Sequence, residues 1–382
     1  MTTTINKKQK NPNVPNLRFP EFSGEWMHST IGSEFDLYSG NTPNRLNKEQ
    51  FKGDVNWISS GELKEHYISE TKEKITQEAA NNNNLKLLPI GTFVIAIYGL
   101  EAEGVRGTCS ITRGLSTISQ ACMAFTPIGS ITNEFLYSWY KKHGNLIGIK
   151  YAQGTKQQNL SYDIISQFRI DYPQREEQVK LERFISLLDE RIATQNKIIE
   201  KLQSLIKGLS ISLTTKENPN TVISQCLECH SSTLQESEVL PNGLYKVFGA
   251  SGLIGYTNNS QMSGEAILII KDGSGVGTTS YAQGEFSVIG TLNYLTVIGN
   301  YDLRYLYFAL SMFNFQPYKI GMAIPHIYFK DYSRAKIYCP SFTEQKRIAN
   351  VLGKVESKLL LEQELIMSFN QQKRYLLSQM FI

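Results

Sequence analysis

The sequence has no run of about eighteen apolar residues, so no segment reads as a membrane-spanning helix. Its opening stretch, MTTTINKKQKNPNVPN, is polar and basic with nothing apolar behind it. That is not the pattern of a secretory signal, and residues 1–16 read as a mobile tail. Cysteine is scarce: five in 382 residues, expected as free thiols in a reducing cytoplasm. Cys226 and Cys229 stand beside His230 in CLECH, but a zinc site wants about four ligands. Cys109, Cys122 and Cys339 form no second close pair, so the cluster reads as coincidence. Charge of one sign is also scarce. The net charge is +4 and no segment is strongly basic, so binding to nucleic acid would need charge gathered on one face or supplied by a partner.

Catalytic motifs are missing too. No Gly-x-x-x-x-Gly-Lys-[Ser/Thr] loop is present, which excludes a self-contained ATP-driven motor. No [Asn/Asp]-Pro-Pro-aromatic motif is present to hold a flipped adenine; NPNVP at Asn11 lacks the second proline and the aromatic. DGSGVG, Asp272 to Gly277, is followed by TTSYAQGEF, which reads as a strand. A dinucleotide loop should open a helix, so this is a glycine-rich hairpin. None of the five histidines pairs with a convincing nucleophile. The chain reads as non-catalytic, with no metal and no cofactor of its own.

What the sequence does contain is a repeat. PQREEQVKLERFISLLDERI begins at Pro173 and PSFTEQKRIANVLGKVESKL at Pro340, and 340 − 173 = 167. At that offset Tyr151/Tyr318, Gly154/Gly321, Ser166/Ser333, Ile170/Ile337, Pro173/Pro340, Glu177/Glu344 and Gln178/Gln345 are identical. Apolar positions agree further on, at Leu181/Ile348, Ile185/Leu352, Leu188/Val355, Ile192/Leu359 and Ile199/Ile366. Upstream, GTFVIAIYG from Gly91 echoes GEAILIIKDG from Gly264, and NEFLYSWY from Asn133 echoes LRYLYFAL from Leu303. A period this long is a duplicated domain. The predicted order is a mixed domain over 17–172, a long helix over 173–214, a second mixed domain over 215–339 and a second long helix over 340–382.

In the first helix Leu181, Ile185, Leu188, Ile192, Gln195, Ile199, Leu202, Ile206 and Leu209 alternate steps of four and three, a heptad seam. The second repeats it with Ile348, Leu352, Val355, Leu359, Glu362 and Ile366. Gln195 and Glu362 put a polar residue at the same place in both, a device that fixes register and partner. If the two helices pair within the chain they most simply run antiparallel. Two related domains on such a spacer make a ruler, and about one turn of B-DNA, roughly 34 Å, separates half-sites on one side of the duplex.

NLRFPEFSGEW (Asn16–Trp26), SGNTPNR (Ser39–Arg45), GDVNWISSGEL (Gly53–Leu63), YKVFGASGLIGYTNN (Tyr245–Asn259) and the repeated Pro–Glu-Gln helices together resemble a type I restriction–modification specificity subunit, over nearly the whole chain. The resemblance implies an α+β fold: two mixed α/β target recognition domains separated by two long helices packed as an antiparallel coiled coil, with a pseudo-two-fold internal repeat. It implies double-stranded DNA as ligand, read as a split asymmetric site. It also implies two methyltransferase subunits on the helices, which use S-adenosylmethionine to modify adenine N6, and separate restriction/translocase subunits using ATP and Mg. By the same resemblance, Arg183, Arg191, Lys354 and Lys358 lie on outward faces that meet partners, while the seam residues pair the helices.

Base reading calls for Arg, Lys, Asn, Gln, Ser or Thr on loops. In the first domain the candidates are Arg45, Ser59, Ser60, Tyr98, Arg106, Arg113 and the turn Gly154, Thr155, Lys156, Gln157, Gln158, Asn159. Gly154 would allow close backbone approach; Thr155 and Lys156 suit phosphate; Gln157, Gln158 and Asn159 suit bases. In the second they are Lys246, Ser251, Lys271, Ser274, Thr278, Tyr281 and His326. The counterpart turn, GMAIPH from Gly321, is far more apolar, so the two domains should not read alike. A coiled-coil adaptor with no DNA role remains the other reading, and a self-contained methyltransferase a third; divergence of the two turns opposes the former, the missing motifs the latter.

Overall fold

The long seams form helices of the expected extent in the computed structural model: Arg175–Thr214 and Phe342–Met380. The structure describes residues 13–102, 104–154 and 158–382; the candidates Thr155, Lys156 and Gln157 lie outside the described residues. The chain divides into two compact units. One holds the described residues up to Ala193 together with Met367–Ile382, and the other is Thr194–Ile366. The division runs across both long helices, so each unit contains a stretch of each.

The first unit is built on a five-stranded sheet in the order Phe35–Ser39, Cys122–Pro127, Phe93–Ala96, Cys109–Thr112, Tyr67–Ile68. A three-stranded sheet, Lys74–Ile75, Val55–Ile58 and Ser116–Ile118, lies in the same unit. Every residue of Phe93–Ala96 is buried, as a central strand of short apolar residues requires. The helix Asn133–Tyr151, capped by Thr132, buries Phe135, Leu136, Tyr137, Trp139 and Tyr140. The core of Trp26, Phe35, Phe93, Phe125 and Phe135 is completed by Leu377, Met380 and Phe381, from the far end of the sequence. Residues 13–16, placed by sequence in a mobile tail, belong to the fold: Asn13 O accepts from Trp26 N at 2.8 Å and Pro15 is buried.

The second unit has one six-stranded sheet, ordered Leu227–Ser231, Leu292–Val297, Met262–Ile270, Thr279–Val288, Tyr245–Gly249, Gly252–Thr257. The glycine-rich DGSGVG stretch turns Met262–Ile270 into Thr279–Val288, the hairpin the sequence implied. The short helix Leu303–Ser311 buries Tyr305, Leu306, Phe308 and Leu310 beneath the sheet's inner face. Ile348, Ala349 and Leu352 of the second long helix join that core.

Within the second unit the polar seam residues meet: Gln195 Nε2 donates to the Glu362 carboxylate, and Lys358 closes on it from one helical turn away. Within the first unit Lys373 pairs with Asp189 and Arg191 lies over Phe369, 5.3 Å from the ring centroid. In each unit the two helix segments therefore run side by side and antiparallel.

The repeated glutamines show why the Pro–Glu-Gln phrase recurs. Gln178 donates to Pro173 O at 3.0 Å and accepts from Thr132 N at 3.1 Å. Gln345 donates to Pro340 O at 2.8 Å and accepts from Asp302 N at 3.0 Å. Each buried amide closes the first turn of its long helix and fastens the capping residue of the preceding helix to it. Among the described residues no helix is long and apolar enough to cross a membrane.

Candidate nucleic-acid interface

Two loops meet at one edge of each unit, and they do so in the same way. In the first unit Gln153 and Asn159 exchange both backbone hydrogen bonds, at 2.8 and 2.9 Å, closing the turn that contains Gly154. In the second Ile320 and His326 do the same, at 2.9 and 2.8 Å, around Gly321. Both glycines have positive φ, +113° and +89°, a region open to glycine without strain. Each turn then docks against the loop leaving an inner strand. Leu100 N donates to Gln158 O at 3.1 Å, and Gly273 N donates to Pro325 O at 2.9 Å. Leu160 N donates to Ile97 O at 2.9 Å, and Ile327 N donates to Lys271 O at 3.0 Å.

The frames match; the side chains do not. At the first tip the Gln158 backbone N–H donates to the Glu101 side chain, Oε2, at 2.9 Å and, with Glu101's own backbone, holds that carboxyl below the usual carboxylate range. At the second tip Met322 is fully exposed and Ile324 is 69% exposed, with His326 Nδ1 3.4 Å from Ile324 O. Ser274 and Thr278 lie on the adjoining hairpin turn, and Lys271 and Tyr281 flank it.

Several candidates from the sequence are already engaged within the fold. Arg106 donates to Leu100 O at 2.5 Å and Glu101 O at 3.0 Å, so it shapes the loop from beneath. Arg45 pairs with Glu73 at 2.5 Å and lies over Phe51 and Trp57. Arg113 lies 3.7 Å over the Tyr67 ring. Ser59 caps the turn carrying Ser60, with Glu62 accepting from its backbone and hydroxyl. Tyr281 is half-buried beside Arg304; burial, then Glu265, pushes its hydroxyl pKa up. Lys246 and Ser251 lie on the outer hairpin Tyr245–Thr257, in the exposed or half-exposed part of the sheet. Gly154, Tyr98, Gln158, Asn159, Lys271, Ser274, Thr278 and His326 are thus the candidates that the tips bring together. Met322 and Ile324, exposed at the second tip, are not among the sequence candidates, because a search for hydrogen-bonding side chains passes over apolar ones. The CLECH residues diverge: Cys226 donates into its own turn, and His230 hydrogen-bonds Thr296 at 2.8 Å.

On the long helices Arg183, Arg191, Lys354 and Lys358 are all exposed; Arg191 also lies over Phe369 and Lys358 pairs with Glu362. Leu187, Ile198, Leu205 and Ile211 of the first helix and Leu360, Leu361 and Met367 of the second are exposed. Seam residues Leu188, Ile192, Ile199, Val355, Leu359 and Ile366 are half-buried and Leu352 is buried.

A duplicated α/β domain with one loop frame and two unlike loop chemistries is the architecture of a recognition protein. The model of the type I restriction modification DNA specificity domain matches residues 23–204 and 228–370, and the chain belongs to that family. It is 26% identical over 212 residues to the type I restriction enzyme MjaIX specificity subunit of Methanocaldococcus jannaschii, across 53% of this chain and 48% of that one. It is 27% identical over 209 residues to the EcoR124I/EcoR124II specificity subunit of Escherichia coli, across 53% and 50%. The chain spans about half the length of the curated relatives it matches. In fold it is similar to the type-I restriction-modification S subunit of M. genitalium, with a TM-score of 0.68 and 17% identity over 97% of this chain and 99% of that one.

Proposed function

We propose that this chain is the non-catalytic DNA-specificity subunit of a type I restriction–modification complex. Each tip reads one half of a bipartite, asymmetric site in double-stranded DNA. The long helices set the unread gap and dock two methyltransferase subunits through the exposed apolar residues Leu187, Ile198, Leu205, Leu360 and Leu361. S-adenosylmethionine belongs to those subunits, which methylate adenine N6; ATP and Mg belong to separate restriction subunits. The observation that carries the reading is the matched pair of loop frames with unmatched side chains, Gln153–Asn159 and Ile320–His326. An adaptor has no use for two unlike tips on one frame.

The test is methylation mapping. The chain is expressed with a cognate methyltransferase subunit in a methylation-free host, and modified adenines are sequenced. A split, asymmetric motif that disappears when this chain is omitted supports the reading. A soluble complex of the two proteins that leaves no modified adenine overturns it.

The second tip carries a sharper expectation. Exposed methionine and isoleucine suit the thymine methyl group in the major groove. Replacing thymine by uracil in the half-site read by this unit should weaken binding by about 0.8 kcal/mol per methyl removed, roughly fourfold. The same replacement in the other half-site should change little. Equal affinity for thymine and uracil in both half-sites would remove Met322 and Ile324 from base reading.

A further inference from the structure

Two side-chain clusters, apart from the tips and the helix seam, occupy equivalent places in the two units. In the second unit the Arg304 guanidinium lies over the rings of Tyr281 and Tyr307, at 4.1 and 5.3 Å, and pairs with Glu356 of the second long helix. Tyr307 Oη donates to the same carboxylate at 2.9 Å. One guanidinium thus ties together a sheet strand, the short helix Leu303–Ser311 and the long helix.

In the first unit the His66 ring is stacked between Tyr67 and Tyr137, at 4.0 and 3.9 Å. Its Nε2 is 2.8 Å from Glu134, and its Nδ1 is 3.8 Å from Asp189 of the first long helix. Tyr67 Oη donates to Glu134 at 2.9 Å, and Lys373 pairs with Asp189.

The equivalence is positional. Asp189 and Glu356 are 356 − 189 = 167 apart, the separation of Gln195 and Glu362. Thr132 and Asp302 both cap the helix that follows and both bond the repeated glutamine. Counting from those caps, Tyr137 matches Tyr307 and Glu134 matches Arg304. The long-helix acid and the tyrosine are kept. The nitrogen donor has moved from the bend before the strand Tyr67–Ile68 (His66) to the short helix (Arg304), where an arginine stands in place of the acid Glu134. Such charged clusters contribute little net stability compared with apolar packing, and in some proteins they select one geometry over its alternatives.

We propose that the two clusters are joints that set the pose of each recognition sheet, and so of its tip, on the helix pair. Arg304, Glu356 and Tyr307 in one unit, and His66, Glu134 and Asp189 in the other, are then positioning residues for DNA recognition. The link to the tips is short. Tyr281 follows the hairpin turn of Ser274 and Thr278 by three residues, and Tyr67 pairs with Ile111 opposite Phe93, four residues before Ile97 of the first tip. This proposal rests on the DNA-specificity reading, and two measurements keep their failures apart.

The first measures half-site discrimination by the chain in complex with its methyltransferase subunits. R304M and E356Q are each expected to lower discrimination at the second half-site tenfold or more, and to leave the first within twofold. R304K, which keeps a cation beside Glu356 and over the tyrosine rings, should restore most of it, which a generally damaged fold would not permit. Equal losses at both half-sites, or no rescue, overturn the joint. The second is amide hydrogen exchange on the same proteins without DNA. R304M should speed exchange in 262–288 and 342–366 and leave 93–127 unchanged, with R304K reversing most of the change. Unaltered exchange overturns the joint whatever the DNA result. A wild-type complex without sequence preference overturns the DNA reading, while the exchange data still decide whether the joint exists.

Discussion

Arg18→Ala is expected to cost the first unit about 3–5 kcal/mol, the penalty for leaving a buried charge without its partner. Glu177 is only 2% exposed, and Arg18 grips it through two hydrogen bonds, Nε to Oε1 at 2.8 Å and Nη2 to Oε2 at 2.6 Å. Trp26 Nε1 lies 3.4 Å from the same carboxylate. Removing the guanidinium strands a carboxylate at the first turn of the long helix, where the helix dipole offsets only part of the loss. A urea or thermal melt reads the effect, with Tm falling by roughly 10 °C for a unit of this size. Replacing both partners with apolar residues of similar volume should cost far less, because the desolvation penalty then disappears with the pair. The repeat supplies its own control. Glu344 is the same residue at the matching position, but its side chain is exposed and meets Arg347 within one helical turn at 3.3 Å. Glu344→Ala should therefore change stability by no more than about 0.5 kcal/mol. A loss below about 1 kcal/mol for Arg18→Ala would show that the strap formed by residues 16–26 does not hold that helix.

Adding seven residues to each long helix, beside Gln195 in one and beside Glu362 in the other, should lengthen the unread gap of the methylated site and leave both half-sites unaltered. Seven residues add about 10 Å of helix at 1.5 Å each, close to three base pairs. A whole heptad returns every seam residue to the same face, so the coil keeps its packing. Methylation of the original site should disappear and that of the longer one appear. Placing the seven residues in one helix alone breaks the pairing of Gln195 with Glu362 and should abolish modification altogether. An unchanged gap after the matched insertion would refute the helices as the ruler.

The features legible in the sequence are those written in local periodicity or copied by the repeat. The helices Arg175–Thr214 and Phe342–Met380 follow from steps of four and three. The hairpin at DGSGVG follows from glycines between two strand-like runs. The turns after Tyr151 and Tyr318 were visible as equivalents with unlike chemistry, and the structure closes both with the same pair of backbone bonds. Gln178 and Gln345 were visible as identities, and their role as fasteners became clear only once the capping residues Thr132 and Asp302 were seen against them.

Long-range partnership was not legible, because it depends on which residues distant along the chain come together. The sequence offers Arg45, Arg106, Arg113 and Tyr281 as DNA readers but does not show that Glu73, the Leu100 carbonyl, the Tyr67 ring and Arg304 lie against them. Glu177 and Glu344 are one letter in one phrase; the first is buried under Arg18, while the second is exposed beside Arg347. The sequence by itself determined that this chain is a duplicated α/β domain with two heptad helices and two unlike turns. Those properties are set by neighbours within a few residues and by the repeat. Only the tertiary structure decided that Leu377, Met380 and Phe381, encoded after the second domain, complete the core of the first. An apolar pattern declares that a face will be buried but not against what, since burial is non-directional and the choice among apolar surfaces is made by the packing of the whole unit.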